Sequence, residues 1–159
     1  MIKLMRVDHR LLHGQVAISW TKNLDVDCIL IANNDVPVND LRKTTLKMAK
    51  PQEVKLVIKN IEDSIQAIKS GVTDKYKLFI VVESIEDAYR LGSKCDGITQ
   101  INLGGTKKND DTHSISKLIN VTDKDQELLQ KLISKDIELE IRPVPSDKKI
   151  NVSKILNKK

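Results

Sequence analysis

The sequence predicts a single α/β domain over residues 1–159, built on an open, mostly parallel seven-stranded sheet with helices on both faces. Short apolar, β-branched runs alternate with segments whose apolar residues recur every three or four positions. That alternation favours parallel strands joined by right-handed helical crossovers. A chain of 159 residues is the usual size of one core, and 40% apolar with 31% charged residues is typical of a globular protein.

The predicted strands are the runs richest in Ile, Leu and Val. They cover residues 2–7, 28–32, 54–58, 78–82, 97–103, 117–121 and 137–141. Pro143 and Pro145 stop the last strand from extending, because proline removes an N–H from the ladder. The polar stretch 106–116 is predicted to be a loop.

The predicted helices lie between these strands and share an apolar spacing of three or four. They cover residues 15–22, 39–49, 61–69, 85–93 and 123–134, with a short terminal helix near 152–156. Asn39 is predicted to cap the second helix, and Pro51 to close it. Thr122 with Asp125 is typical of a helix entry.

Composition narrows the class of protein. The net charge of +5 suits an acidic or phosphorylated partner, but most Lys residues are scattered among Asp and Glu, which indicates a solvated surface. With 3% aromatic residues, Trp20 and Phe79 are expected to anchor the core rather than to stack on bases. Cys28 and Cys95 have no short-range partner, which indicates a reduced cytosolic chain. No apolar run approaches the roughly 20 residues that would insert into a membrane.

The run Arg-Val-Asp-His-Arg-Leu-Leu-His-Gly-Gln-Val, residues 6–16, joins the first strand to the first helix. Ligands of open α/β sheets bind at the carboxyl ends of strands, so this loop is the first place to expect chemistry. His13 precedes Gly14 at a helix start, where N–H groups and the dipole favour an anion. A neutral imidazole, with an ordinary pKa of about 6.5, keeps a lone pair that can attack phosphorus. Arg10 is predicted to neutralise phosphoryl oxygens, and Asp8 to hold Arg10.

Spacing alone leaves a second interpretation of His13 open, since a histidine at a helix start more often caps or packs than reacts. His9 and His13 have the separation of two metal ligands on a helix, but most of the interval is predicted loop. No nearby Glu or Cys completes a ligand set, so we predict no metal site. His113 lies in a polar stretch and is expected to be exposed.

Residues 6–16 resemble the active-site signature of enzyme IIB of the mannose, fructose and sorbose family, part of the bacterial phosphoenolpyruvate-dependent sugar phosphotransferase system. The resemblance covers essentially the whole chain. It continues in Ala-Asn-Asn-Asp at 32–35, in the helical segment 41–51, in Asn-Leu-Gly-Gly at 102–105 and in Val-Pro-Ser-Asp-Lys at 144–148. It implies a seven-stranded, largely parallel sheet whose first loop presents a phosphorylated histidine.

The resemblance also implies roles for individual residues. His13 is implied to take a phosphoryl group from a phosphohistidine on a IIA domain and to give it to a sugar bound by the membrane IIC and IID subunits. The residues implied to bind or orient the phosphate are Asp8, Arg10, Gly14, Gln15, Asn102, Gly104 and Gly105. Gln15 has the alternatives of capping or packing, and the glycines are implied to let backbone donors face the phosphate.

Other matched positions concern partners. Arg42 and Lys47 are implied to belong to a basic docking face rather than to the reaction. Two positions depart from the family pattern. His9 replaces an acidic or amide residue, and Thr-Lys-Lys at 106–108 follows the Gly-Gly turn in place of an apolar residue. We therefore expect a more basic phosphate pocket with the nucleophile unchanged.

The implied activity is that of a protein-phosphohistidine-sugar phosphotransferase without a cofactor, cytoplasmic and peripherally associated with the membrane transporter. We expect the phosphorylated IIA protein to be a separate polypeptide, because the chain contains no IIA segment. A homodimer is compatible with the sequence, although no apolar seam demonstrates one. The sequence does not specify the sugar.

Two other classes of function predict features that this sequence does not have. A non-catalytic regulatory module of the same fold would hold a phosphorylated partner or a nucleic acid, and a lost nucleophile or an aromatic, basic surface would mark it. His13 is present and aromatic residues are few, so we expect no nucleic-acid partner. A nucleotide-binding protein is set aside, because neither a Walker-type loop nor Gly-x-Gly-x-x-Gly follows the first strand.

Overall fold

A computed structural model describes residues 1–156. The strands of this part of the chain are β1 (Ile2–Asp8), β2 (Cys28–Ala32), β3 (Lys55–Lys59), β4 (Leu78–Val82), β5 (Gln100–Gly105), β6 (His113–Ser116), β7 (Ile119–Val121), β8 (Glu138–Ile141) and β9 (Ile150–Asn151). Seven of them form one sheet in the order β3-β2-β4-β1-β5-β8-β9, and β6 pairs with β7 in a separate hairpin.

The sheet is parallel except at one edge, where β9 is antiparallel to β8. The carboxyl ends of the parallel strands therefore meet at one edge of the sheet. β1 lies between β4 and β5. The chain leaves β1 towards β2 on one side and leaves β5 towards β8 on the other, so the loops after β1 and β5 diverge above a crevice of the kind that binds ligands.

All the predicted helices are present, with ends shifted by at most two residues. They are α1 (Gly14–Leu24), α2 (Asp40–Ala49), α3 (Ile61–Ser70), α4 (Ile85–Gly92), α5 (Asp123–Ser134) and α6 (Val152–Leu156), with a short 3-10 helix at Val36–Val38. Asn39 caps α2 by accepting the N–H of Arg42 at 3.1 Å. Thr122 and Asp125 form a reciprocal capping box at α5, which confirms the predicted entry.

The helices cover both faces of the sheet, as predicted. Leu4 and Met5, neighbours in β1, belong to different apolar clusters because successive side chains of a strand point to opposite faces. One cluster packs α1 and α2 against the sheet, and the other packs α3, α4, α5 and α6. Trp20 and Phe79 are buried in the first cluster, which confirms them as core anchors.

The prediction of the strands is wrong in four places. The run predicted over 117–121 joins the hairpin as β7, where buried Ile119 and Val121 pack into the cluster around α5 instead of extending the sheet. Its partner β6 lies in the stretch predicted as a loop. The seventh place in the sheet is taken by β9, whose two residues are too few for a visible period. The fifth strand, predicted over 97–103, runs from Gln100 to Gly105, so Gly104 and Gly105 belong to the strand and do not form a turn.

Two further features bear on the class of protein. None of the helices within residues 1–156 is long and apolar enough to cross a bilayer. Cys28 and Cys95 are buried free thiols, and burial raises the pKa of both. Both cysteines therefore remain protonated and unreactive at neutral pH.

Candidate functional site

A buried carboxylate lies at the carboxyl end of β1. Asp8 is 0% exposed, because β1 has neighbours on both sides. Its Oδ1 accepts the backbone N–H of Arg10 at 3.0 Å, and the Arg10 Nε lies 3.6 Å away. Its Oδ2 accepts a hydrogen bond from Arg6 Nη2 at 3.1 Å and lies 3.0 Å from His13 Nε2. Asp8 therefore contacts Arg6, Arg10 and His13 at the same time.

The surroundings of Asp8 keep it ionised. Burial by itself would raise its pKa, but hydrogen bonds from His13 and from the Arg10 N–H, with the charge of Arg6, lower the pKa below the usual value. An ionised carboxylate only accepts hydrogen bonds. Burial lowers the pKa of Arg6, and Asp8 opposes that effect. A guanidinium keeps its charge at neutral pH, so the two groups form a buried ion pair.

Two leucines hold the loop between β1 and α1 in place. Leu11 and Leu12 are 3% and 4% exposed and belong to the apolar cluster under α1. Leu11 has a φ of 59°, and its N–H donates to the carbonyl of Asp8 at 2.9 Å. Upstream, the N–H of His9 donates to the carbonyl of Gly105 at 3.1 Å, which ties the loop to the end of β5. The polar side chains of the loop are therefore displayed from a fixed backbone.

The start of α1 differs from the starts of α2, α3, α4 and α5. Each of those four helices has a Ser, Thr or Asn side chain that accepts a first-turn N–H. His13 occupies the corresponding position of α1, and its side chain makes no capping hydrogen bond. Gly14 follows with a φ of 47°, in the left-handed region that favours glycine. First-turn N–H groups have no partner within a helix, so this start can bind an anion.

Arg6 is a site residue that the sequence reasoning missed. It lies in the middle of β1 and is 3% exposed. Its Nη1 donates to Asn102 Oδ1 at 2.6 Å and to the carbonyl of Arg142 at 3.3 Å, while Nη2 serves Asp8. The sequence does contain a signal for this role, since Arg6 lies inside an apolar strand that is predicted to be covered on both faces. A guanidinium buried in such a strand needs hydrogen-bond acceptors.

The matched residues of β5 lie close to Arg6. Asn102 is fully buried, and its side chain accepts from Arg6 and donates to the Arg142 carbonyl at 3.1 Å. Both polar groups of its side chain are engaged in the interior. At Gly104, a Cβ would lie 2.1 Å from the Cζ of Arg6, so only glycine leaves room for the guanidinium. Gly105 contributes its carbonyl to the loop through His9. The structure therefore places these residues beneath the loop.

A tryptophan of α1 joins this network from the other side. Trp20 is fully buried, and its indole N–H donates to the carbonyl of Pro143 at 3.1 Å. The guanidiniums of Arg6 and Arg142 lie 5.3 and 5.1 Å from the centre of its ring. Arg142 Nε lies 3.0 Å from the buried carboxylate of Glu140. Helix α1, which carries His13 at its start, is thereby fixed to β1 and to the chain after β8.

The remaining predicted residues are Gln15 on α1 and Arg42 and Lys47 on α2. Gln15 is exposed in the first turn of α1. Arg42 donates to Asp35 at 2.9 Å and to Glu83 at 3.0 Å, so it joins the loops after β2 and β4. Lys47 is exposed on α2. Arg42 is thus engaged within the protein, whereas Lys47 is available to a partner.

His9 lines a cleft of about 260 Å³ beside the loop. Arg10, Gly104, Gly105 and Lys117 also line it, so the cleft carries two cationic side chains. Of the basic residues after the Gly-Gly turn, Lys107 instead lines a neighbouring cleft of about 300 Å³. Lys117, in the connection between β6 and β7, therefore adds a cationic side chain to the cleft beside the loop.

Within residues 1–156, no three His, Cys, Asp or Glu side chains are grouped so as to hold a metal ion. His113 lies on β6, exposed, with its Nε2 3.1 Å from Gln126 Oε1. The polar groups around His13 suit an anion better than a cation, because two arginines and a helix start converge there.

Comparisons with known proteins agree with this geometry. The family model described as "PTS system sorbose subfamily IIB component" matches residues 2–159. A probable phosphotransferase enzyme IIB component of Streptococcus pyogenes serotype M6 is 29% identical over 163 residues, which cover 99% of this chain and 100% of that protein.

Two further relatives extend the comparison. The mannose-specific EIIAB component of Escherichia coli K12 is 30% identical over 99% of this chain, and the chain spans about half (49%) of that protein. The crystal structure of the IIBSor domain of the sorbose permease from Klebsiella pneumoniae superposes with a TM-score of 0.93 at 25% identity, covering 99% of this chain and 96% of that one. Sequence and fold thus point to the same group of proteins.

Proposed function

Since the chain belongs to the sorbose subfamily of phosphotransferase-system IIB components, which are phosphotransferases, we propose that His13 is the residue that carries the phosphoryl group. The observation that carries this proposal is the 3.0 Å contact between His13 Nε2 and Asp8 Oδ2 at an uncapped helix start. It gives the imidazole a fixed orientation beside groups that bind anions.

The contact with Asp8 supports Nδ1 of His13 as the nucleophilic nitrogen. Because Asp8 is ionised and only accepts, the hydrogen between the two side chains belongs to His13 Nε2. In a neutral imidazole the other nitrogen then keeps the lone pair, so Nδ1 attacks phosphorus. A bond forms between Nδ1 and phosphorus, and the bond between phosphorus and the donor histidine of IIA breaks. Asp8 stabilises the positive charge that the ring gains.

The surroundings of His13 supply the charge stabilisation that phosphoryl transfer needs. Catalysis of this transfer is mainly positioning and electrostatics. Arg10 is 55% exposed, so its guanidinium can turn towards phosphoryl oxygens while its backbone N–H stays on Asp8. The first-turn N–H groups after Gly14 offer further donors. In the second step a sugar hydroxyl attacks the phosphoryl group on His13. This step needs an accessible ring, and the His13 side chain is 23% exposed.

The partners follow from the family. IIB domains work with IIA proteins and with the membrane components IIC and IID. We propose that this protein acts in the cytoplasm, takes its phosphoryl group from a phosphorylated IIA protein and docks peripherally on IIC and IID. The exposed face of α2 supports a docking role, since Lys47 lies there with Leu41 and Met48, which are 78% and 82% exposed. The comparisons give no support to a non-catalytic module.

The test is phosphorylation from phosphoenolpyruvate with the two general phosphotransferase proteins and a cognate IIA. We expect one acid-labile phosphate on the wild type and none on His13→Ala. His113→Ala is the matched control, because it removes an exposed histidine on β6 and should label at the wild-type rate. Equal labelling of His13→Ala would refute the assignment. Phosphate transfer to membranes that contain IIC and IID, with different sugars, then identifies the sugar.

A further inference from the structure

We infer that Arg6 is a positioning residue for the transfer step, and that Gly104 is glycine in order to admit the Arg6 guanidinium. The inference rests on the proposed role of His13. Arg6 does not touch the phosphoryl group; it acts through Asp8, which in turn holds the imidazole. The sequence analysis assigned no role to Arg6, and it placed Gly104 among the residues implied to bind or orient the phosphate.

Arg6 and His13 both contact one oxygen atom, Oδ2 of Asp8. Asp8 Oδ2 accepts from Arg6 Nη2 at 3.1 Å and lies 3.0 Å from His13 Nε2. A carboxylate that turned about its Cβ–Cγ bond would lose both contacts, so Arg6 fixes the angle at which Asp8 meets the imidazole. Arg10 holds only the other oxygen of Asp8. The orientation of Oδ2 therefore depends on Arg6.

The Arg6 guanidinium is itself held by several neighbours. Asn102 Oδ1 and the Arg142 carbonyl accept from its Nη1, and the Trp20 ring lies 5.3 Å from its Cζ. With 3% exposure it has no freedom to turn towards solvent. A planar fork with acceptors at two nitrogens transmits orientation, which a flexible ammonium does not. The guanidinium thus links the position of β5 to the angle of Asp8.

The Arg6 guanidinium occupies the space next to Gly104 that a side chain would need. A Cβ built there would lie 2.1, 2.2 and 2.4 Å from the Cζ, Nη2 and Nη1 of Arg6. Gly104 has an ordinary φ, so backbone strain does not explain the glycine. Gly105, by contrast, has its nearest neighbour at 3.6 Å, an ordinary contact. An added methyl group at position 104 therefore displaces the guanidinium without removing its charge.

The experiment compares Arg6→Gln, Arg6→Lys and Gly104→Ala with Arg90→Gln as the control. Arg90 is a 48% exposed partner of Glu86 on α4. Two quantities are measured for each variant that keeps its circular dichroism spectrum. One is the rate of phosphorylation by phospho-IIA, and the other is the tautomer of His13 in the unphosphorylated protein, read from ¹⁵N chemical shifts of the ring.

For Arg6→Gln we expect a labelling rate lower by on the order of 100-fold, the effect of a misplaced reacting group, and a mixture of ring tautomers in place of the Nε2–H form. Gly104→Ala should show the same change, and Arg6→Lys a partial recovery of rate. Arg90→Gln should match the wild type in both quantities. A merely structural role for Arg6 would lower the melting temperature and leave the tautomer of the folded protein unchanged.

The inference is overturned if Arg6→Gln folds, keeps the Nε2–H form and labels within twofold of the wild type. If Arg6→Gln does not fold, Arg6→Lys and Gly104→Ala decide the matter by the same criteria. The tautomer is measured without any partner protein. A wild type that fails to label would therefore refute the proposed function, while the tautomer still tests the positioning by Arg6.

Discussion

Replacing Asp8 with asparagine should both destabilise the protein and impair His13. Four donor groups surround the Asp8 carboxylate: Arg6 Nη2, His13 Nε2, the backbone N–H of Arg10 and, at 3.6 Å, its Nε. An amide has one acceptor oxygen and one donor nitrogen. Whichever way the new amide turns, its NH₂ group faces donors, and the buried Arg6 loses its counter-charge.

The expected loss follows from those contacts. Removing one partner of a buried ion pair costs about 3–5 kcal/mol, because the other charge is left uncompensated. For a chain of this length, each kcal/mol lowers the melting temperature by about 2–4 °C, so a fall of roughly 6–20 °C is expected. An Asp to Asn change that leaves a histidine in the wrong tautomer costs up to about 10⁴-fold in a catalytic triad. We expect the labelling rate of His13 to fall by about 10²- to 10⁴-fold.

The assay pairs urea unfolding with phosphorylation by phospho-IIA at a temperature where both proteins are folded. Asp25→Asn is the matched control, because Asp25 forms a similar 3.0 Å pair with Lys77 but is 83% exposed. It should unfold and label as the wild type does. A loss of stability below about 1 kcal/mol in Asp8→Asn, with labelling within threefold, would refute the account of a buried carboxylate orienting His13.

Three more expectations concern stability. Gly14→Ala should lose about 1 kcal/mol in urea unfolding, because a φ of 47° is strained for a residue with a Cβ although no atom lies within 4 Å of it; an unchanged midpoint would contradict this. Thr122→Ala should lose about 1 kcal/mol with its capping box, whereas a loss confined to a few tenths would indicate that the box is not formed in solution. Folding lowers the pKa of Asp8, so its contribution is complete above the unfolded carboxyl pKa of about 3.9 and is lost as the pH falls below it. The stability gap between wild type and Asp8→Asn should therefore narrow as the pH falls below about 3.9 towards the lower pKa of the folded state, and a constant gap would count against the ion pair.

Much of the fold could be predicted because local signals agree with the tertiary structure. The fully buried run Cys28–Ala32 is apolar throughout, which is how a central parallel strand differs from other runs. Helix α5 begins and ends at the predicted residues, since its capping box marks the start in the sequence. Where side-chain chemistry defines an element, the sequence predicts it well.

The errors arise where distant contacts decide. Ile119 and Val121 belong to an apolar run that looks like the other strands in the sequence. The strand they form has only three residues, and its pairing with β6 depends on the tertiary structure. Strand β9 has only two residues, and its place depends on the edge of β8. Local patterns carry no information on either pairing.

The site divides in the same way. The segment 8–13 contains Asp8, Arg10 and His13, so their grouping could be predicted from adjacency in the sequence. Arg6 could not be assigned, because its partners Asn102 and the Arg142 carbonyl are 96 and 136 residues away along the chain. Its role depends on which strands become neighbours, and only the order of the sheet gives that.

The missing cap at the start of α1 has a consequence for how a loaded carrier differs from an empty one. A helix that begins without a side-chain acceptor leaves N–H groups of its first turn without a cap. A phosphoryl group on His13 would provide oxygens for those N–H groups and a negative charge beside the dipole. Phosphorylation of His13 would thus supply the acceptors that the start of α1 lacks, and transfer of the phosphoryl group would remove them again. A receiving protein would meet a different surface in each state, because the charge and the hydrogen bonds at this helix start would differ.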